Sequence, residues 1–197
     1  MSRRGSMGGG AAASRGRMQR AVATRTFPHR GARPRPTVPT VKYFEDFVVG
    51  QERTHEGSYT LTEAEIREVG ERWDPQPFHI DPVAAEASIF GGLVASSVHL
   101  FAILTAIGRA QPLEHRAAAV SALGFDKLRN HGPARPGDEL RARIKVLEAR
   151  ASNSRPEVGV VRNSADLFNQ HGEVVFSWEA AYLVQRRPGP RAHGPQP

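Results

Sequence analysis

The spacing of apolar residues changes twice along this chain of 197 residues, and each change predicts a different kind of structure. Residues 1–40 show no apolar period. From Tyr43 to Gly50 an ordered segment is expected, with Phe44, Phe47, Val48 and Val49 available for burial. Thr54–Leu61 then reads as a short strand. Thr62-Glu63-Ala64-Glu65 has the form of a capping box, in which Thr62 accepts an N–H from the first turn and Glu65 reaches back. The helix it opens carries Ala64, Ile66, Val69 and Gly70 on its inner side and runs to about Arg72. It stops at Trp73-Asp74-Pro75-Gln76-Pro77, because two prolines spaced by one residue cannot continue a helix. Asp81-Pro82 opens a second helix, with Asp as cap and Pro at the first position, that runs over Val83–Ser88 to Gly91-Gly92.

Leu93–Ala110 is predicted as a longer helix, apolar on nearly every side and so buried all round. At 1.5 Å per residue it spans about 25 Å, a length suited to a helix wrapped by a sheet. Beyond Glu114 the period falls to two. Glu139–Val146 alternates basic and apolar residues cleanly, and Ala118–Leu128, Val158–Phe168 and Glu173–Val184 read as three further strands. Asn169-Gln170-His171-Gly172 is a hairpin turn signal, and Arg135-Pro136-Gly137-Asp138 separates the first two strands. Helices followed by long antiparallel strands predict an α+β fold, its sheet curled around one buried helix.

Composition narrows the function. Hydrophobic residues make up 39% of the chain, enough for a core, and the length suits one domain. The absence of cysteine excludes disulfides, a thiol nucleophile and thiolate metal sites. No apolar run reaches the roughly 20 residues needed to span a bilayer as a helix.

The net charge of +7 points to nucleic acid until it is divided along the chain. Residues 1–44 hold ten basic side chains and no acid, whereas 45–185 carries a net charge of −6. The folded part is acidic, and the basicity belongs to the ends. The first 40 residues, rich in Arg, Gly, Ala and Pro, are expected to be disordered, as is the tail 187–197, which leaves residues 41–186 as the domain. Three readings of the basic segment stand open: an over-long start with Met7 or Met18 as alternatives, a disordered arm, or a mitochondrial transit peptide. The expected compartment is the bacterial cytoplasm, or the mitochondrial matrix under the third reading.

Chemistry concentrates in Asp74-Pro75-Gln76-Pro77-Phe78-His79. A carboxylate and an imidazole five residues apart sit on a segment stiffened by two prolines, and such a pair activates water near neutral pH. Two other readings remain at this level. Asp74 serves the turn and His79 is a satisfied core histidine; or Asp74, His79 and Asp81 hold a metal.

Asp74-x-Gln76-Pro77-x-His79, followed by Ala85, resembles the signature of the MaoC-like dehydratases, the (R)-specific enoyl-CoA hydratase family. Phe90-Gly91-Gly92-Leu93-Val94-Ala95-Ser96-Ser97 and Arg135-Pro136-Gly137-Asp138-Glu139-Leu140 look like the same family, and the similarity covers roughly Tyr43 to Arg186. The resemblance implies a hotdog fold, usually dimeric, acting on an acyl thioester with no cofactor or metal. It implies Asp74 and His79 as the catalytic pair, binding water and moving its proton between oxygen and Cα. It also implies Gln76, Ser96 and Ser97 as substrate-binding positions, the N–H groups at the start of the long helix holding the thioester oxygen. Three residues depart from the family pattern: Gln76 for its Asn, Trp73 for its small residue, and Ser96-Ser97 for its His-Gly. Arg129, Arg135, Arg141 and Arg143 are candidates for the phosphates of coenzyme A, while His99 reads as a core histidine or acyl-pocket lining.

A thioesterase of the same fold, a non-catalytic acyl-CoA binder and a nucleic-acid binder acting through residues 1–44 are the competing readings. Thioesterases of this fold use an acidic residue on the long helix, and Leu93–Ala110 contains none.

Overall fold

The computed structural model describes residues 41–189; the disorder expected of residues 1–40 and of the final eight residues lies outside them. Two short strands come first, β1 (Glu52–Thr54) and β2 (Tyr59–Thr60), then α1 (Glu63–Trp73), α2 (Pro77–Ile80), α3 (Pro82–Glu86) and α4 (Ser97–Ala110). Four long strands follow: β3 (Ala119–Asn130), β4 (Glu139–Ala151), β5 (Val158–Phe168) and β6 (Val174–Gln185). The sheet order is β1-β4-β5-β6-β3 with every neighbour antiparallel, and β2 also pairs with β4. This is the hotdog arrangement, with α4 packed against one face of the sheet.

The core follows from two periods meeting. Leu100, Ile103, Leu104 and Ile107 of α4 are buried against Leu140 and Ala142 of β4, Ala165 and Leu167 of β5, and Val175 and Phe176 of β6. Each large apolar side chain in that cluster contributes roughly 1.5–3 kcal/mol by leaving water. The alternation read in β4 holds, with Leu140 and Ala142 fully buried between Arg141 and Arg143. Two turns fix the register. Gly137, at φ 89°, donates its N–H to the Leu61 carbonyl at 2.7 Å, and Leu61 donates back to Asp138 at 2.9 Å. In the hairpin turn, Asn169 Oδ1 accepts the N–H groups of His171 and Glu173, both at 3.0 Å.

Four expectations need correction. Thr54–Leu61 is not one strand: His55–Ser58 interrupts it, with Gly57 at φ 81° turning the chain. The long helix starts at Ser97 and not Leu93, because Leu93–Ala95 are buried in an irregular stretch and Ser96 is the cap. Val48 and Val49 are exposed, and only Phe44 and Phe47 of that segment pack on the second core cluster around Val161 and Val184. The Phe44 ring packs directly on Gly159 and leaves no room there for a Cβ. Finally, α4 is not buried all round: Val98, Ala102, Thr105 and Ala106 are exposed, and so is every residue of β3. Apolar sequence exceeds what one chain covers. Arg187, which the sequence reading assigns to the tail, is tied by its main-chain N–H to Glu45 at 2.8 Å and by its guanidinium to Asp46 at 2.6 Å.

Two histidines are drawn into this packing. His99 is buried near the start of α4, and burial lowers its pKa. His55, at the other end near Gly108, is pushed down from 6.5 to about 4, first by burial and then by Arg53 and His115. The unfolded chain binds a proton at His55 below its ordinary value, while the folded chain binds it only near 4. The stability supplied by neutral His55 is therefore complete above pH 6.5 and lost as pH falls towards 4. The expected result is a melting temperature that drops across that interval, with a flatter profile in His55→Gln. An unchanged profile in the variant would contradict this.

Candidate active site

Helix α1 ends one residue before the first site residue. Thr62 caps its start as expected, accepting from Glu65 N at 3.2 Å while the Glu65 carboxylate accepts the Thr62 N–H at 3.3 Å. Asp74 caps its end, donating its main-chain N–H to Gly70 at 2.9 Å. Pro75 and Pro77 then turn the chain directly into α2. Asp74 and His79 thus lie on either side of a stiff corner, the first at a helix terminus and the second one turn into the next helix.

The corner is packed tightly from below. Gly70 faces α2, and a Cβ there would lie 2.9 Å from Ile80 Cγ2, 3.0 Å from His79 Cβ and 3.1 Å from the His79 carbonyl. Only a residue without a side chain lets α1 approach this closely.

His79 is 6% exposed and its ring is held on both sides. Nδ1 lies 2.6 Å from the Val94 carbonyl, which can only accept, so Nδ1 carries the proton. Nε2 faces Asp74, 3.6 Å from Oδ2. Phe78 sits edge-on to the imidazole with ring centres 4.5 Å apart. The core-histidine reading is thus half right, since His79 is buried and satisfied at Nδ1 but leaves Nε2 to the half-buried carboxylate.

His79 opens onto a cleft of about 480 Å³, lined also by Phe90, Val94, Ser97, Asn130 and His131. Ser96 caps α4, its hydroxyl accepting the His99 N–H at 3.4 Å. Ser97 is the first residue of that helix, and the N–H groups of Ser97 and Val98 have no carbonyl a turn before them. A helix start favours negative charge, so an anionic oxygen beside Ser97 would meet free donors. Ser97 Oγ accepts from Asn130 Nδ2 at 2.7 Å, which anchors this corner to β3.

The structure places His79 and Ser97 on one cleft, with Asp74 beside it through His79 Nε2 and Ser96 directly before Ser97 as the cap of α4. It does not bring Gln76 with them: Gln76 is exposed, lies outside the cleft lining, and serves locally through a carbonyl that accepts the His79 N–H at 2.9 Å. Trp73 points to solvent beneath Arg72, whose guanidinium lies 5.0 Å from the ring centre. Asp81 is drawn away from any metal role, its Oδ1 accepting the N–H groups of Val83 and Ala84 at the start of α3. Among the described residues no group of three or more His, Asp or Glu stands together as metal ligands. Of the candidate phosphate partners, Arg143 is engaged by Asp166 at 2.9 Å and Arg135 by the Phe90 carbonyl. Arg129 precedes Asn130 and His131 at the cleft and has no carboxylate partner among the described residues.

Sequence reasoning did not find the Val94 carbonyl, Gly70 or Asn130. The first two act through backbone and through absence of a side chain, which leave no mark in local text. Asn130 reaches Ser97 across 33 positions, a pairing set by the sheet.

Among the described residues no helix is long and apolar enough to cross a membrane. Comparison with known proteins agrees with the fold. The family model described as MaoC like domain matches residues 46–167. The crystal structure of a MaoC-like dehydratase from Rhodospirillum rubrum is 37% identical, with a TM-score of 0.69, over 75% of this chain and 99% of that one. The uncharacterized protein YdeM of Bacillus subtilis is 24% identical over 142 residues, 72% of this chain and 98% of its own length. Mesaconyl-CoA hydratase of Haloarcula hispanica is 26% identical over 148 residues, 74% of this chain but only 40% of that protein. With a family match across most of the described residues, and His79 and Ser97 of the matching segments lining one cleft, this chain belongs to the MaoC-like dehydratase family.

Proposed function

We propose that this protein adds water across the Cα=Cβ bond of an enoyl-CoA thioester, or removes it in the reverse direction. The observation that carries this reading is the Asp74–His79 pair, 3.6 Å apart, with His79 lining the same cleft as Ser97, the first residue of α4. In the forward direction Asp74 and His79 bind one water. His79 Nε2 takes a proton as the hydroxide oxygen bonds to Cβ, and the double-bond electrons move onto the thioester oxygen. That enolate oxygen is held by main-chain N–H groups at Ser97, which strengthen their hold as its charge grows. The proton then passes to Cα, which restores the pair. Ser96 shapes the turn that presents those donors, Gln76 fixes the local turn of α2, and Arg129 is placed to meet coenzyme A phosphate. The chain itself supplies every group that this sequence of steps uses.

Crotonyl-CoA separates this from a thioesterase. The expected result is loss of enoyl absorbance with no release of free thiol. Thiol release at the rate of absorbance loss would overturn the reading and move the hydroxide to the carbonyl carbon. The lack of any Asp or Glu in Ser97–Ala110 supports the hydratase.

The same reading includes a homodimer. Among the described residues strand β3 pairs only with β6, leaving its other edge without a partner strand along 12 residues, and Val120, Leu123, Phe125 and Leu128 are all 40% exposed or more. A long apolar edge of this kind ordinarily recruits another strand. Light scattering is expected to give twice the chain mass of 21.5 kDa, and Leu123→Lys is expected to shift it towards the monomer. A monomeric wild type would contradict the dimer while leaving the chemistry open to test.

A further inference from the structure

A second cavity, of about 240 Å³, lies at the far end of α4 beside Gly108 and shares no lining residue with the cleft at His79. Its walls are apolar, formed by Phe47, Ile144, Val146, Trp178 and Tyr182. Its rim is cationic: Lys42, Arg53, Arg109 and Arg116 line it, with His55 and His115, and no carboxylate does. Glu56 is shared between Arg53 at 3.2 Å and His115 at 3.9 Å. Lys42 and Arg109 have no carboxylate partner among the described residues. An unbalanced positive rim around an apolar chamber is a costly arrangement for packing alone.

A second, independent observation lies inside the chamber. Asn163 is only 8% exposed, and its Nδ2 donates to Tyr182 Oη at 2.5 Å while Oδ1 has no partner. One end of that carboxamide stays unpaired whichever way the group is turned. The buried indole N–H of Trp178 and Nδ1 of His55 are unpartnered as well. Three residues of one cavity wall that each carry an unpaired buried polar atom are far from the norm for a folded interior.

We propose that this cavity is a binding site for a carboxylate borne on a short aliphatic body. The carboxylate meets the cations at the rim, and the aliphatic part fills the space between Phe47, Ile144 and Val146. Inorganic phosphate would satisfy the rim and leave the apolar walls wet. Two sources share the required chemistry: a free acid separate from the substrate, or the far end of a dicarboxylic acyl thioester. Burial is what chiefly holds His55 neutral, and an anion here would offset only the smaller contribution of Arg53 and His115.

The test is calorimetric titration of the full chain with octanoate, with octanol as the neutral counterpart. One saturable octanoate site is expected, with octanol bound about tenfold more weakly or worse. In Lys42→Ala/Arg109→Ala octanoate affinity is expected to fall at least about tenfold with octanol unchanged, since the missing groups are charges at the rim. Circular dichroism melting confirms that the variant is folded. Absence of saturable heat, equal affinity for octanol, or an unaffected double variant would each overturn the proposal. Competition with sebacyl-CoA, a dicarboxylic monothioester, then separates the sources: displacement of octanoate assigns the site to the acyl terminus, and independent binding assigns it to a free acid. None of these readouts needs turnover, so failure here is distinct from failure of the hydratase reading.

Discussion

Asp74→Asn is expected to lower turnover of an enoyl thioester about 10²- to 10⁴-fold, the range of a positioned acid–base group. The change keeps the size and shape of the side chain and removes only the charge. Asp74 is half-buried and, among the described residues, the one close polar partner of its carboxylate is His79 Nε2, so little of the fold depends on that carboxylate. Its structural duty, donating the main-chain N–H to Gly70, is untouched. The melting temperature is therefore expected to move by no more than about 2 °C. His79→Ala makes the contrasting case. It removes the same chemistry but also strips the buried Val94 carbonyl of its donor, which costs about 1–3 kcal/mol on its own. Reading both variants together separates the catalytic loss from the structural one. If Asp74→Asn retained near-normal turnover, the pair would be structural.

The second large effect is expected from Gly70→Ala, although Gly70 touches no reacting group. In a free helix this change is favourable by roughly 0.5–1 kcal/mol. Here the added methyl meets the His79 Cβ at 3.0 Å and the His79 carbonyl at 3.1 Å, and the carbonyl belongs to a backbone held between two prolines' turn and α3. Overpacking of this kind costs about 1–3 kcal/mol, which outweighs the helix gain. Relief comes only by lifting α2, and α2 carries His79. A displacement approaching 1 Å at a reacting group costs on the order of 10²-fold in rate. The expected variant thus melts earlier and loses kcat with a smaller change in KM. Full activity with lowered stability would mean that α2 tolerates displacement.

How much of this could be read from residues alone depended on the range of the interaction. The capping box at Thr62, the hairpin turn at Asn169 and the alternation in Glu139–Val146 are local devices, and the structure keeps all of them. The motif around Asp74 and His79 was legible for the same reason: two prolines announce the corner that separates them. Leu93–Ala95 misled because apolar text suits a buried irregular stretch as well as a helix. Val98 and Ala102 misled in the opposite way, since apolar character marks surface to be covered without saying whether the same chain covers it. Gly70, the Val94 carbonyl and Asn130 were invisible because each acts across elements whose approach is set by the whole sheet. Asn163 and Trp178 belong to the same group, their unpaired atoms arising only where three strands meet the end of α4.

The most direct test of the chemistry at Asp74 and His79 is the decay of enoyl-thioester absorbance with crotonyl-CoA, followed on the wild type and on Asp74→Asn at equal folded concentration. Loss of absorbance in the wild type, reduced at least about a hundredfold in the variant, is the expected result. Equal decay in both proteins, or no decay in the wild type with crotonyl-CoA and with longer and branched enoyl-CoAs, would contradict it.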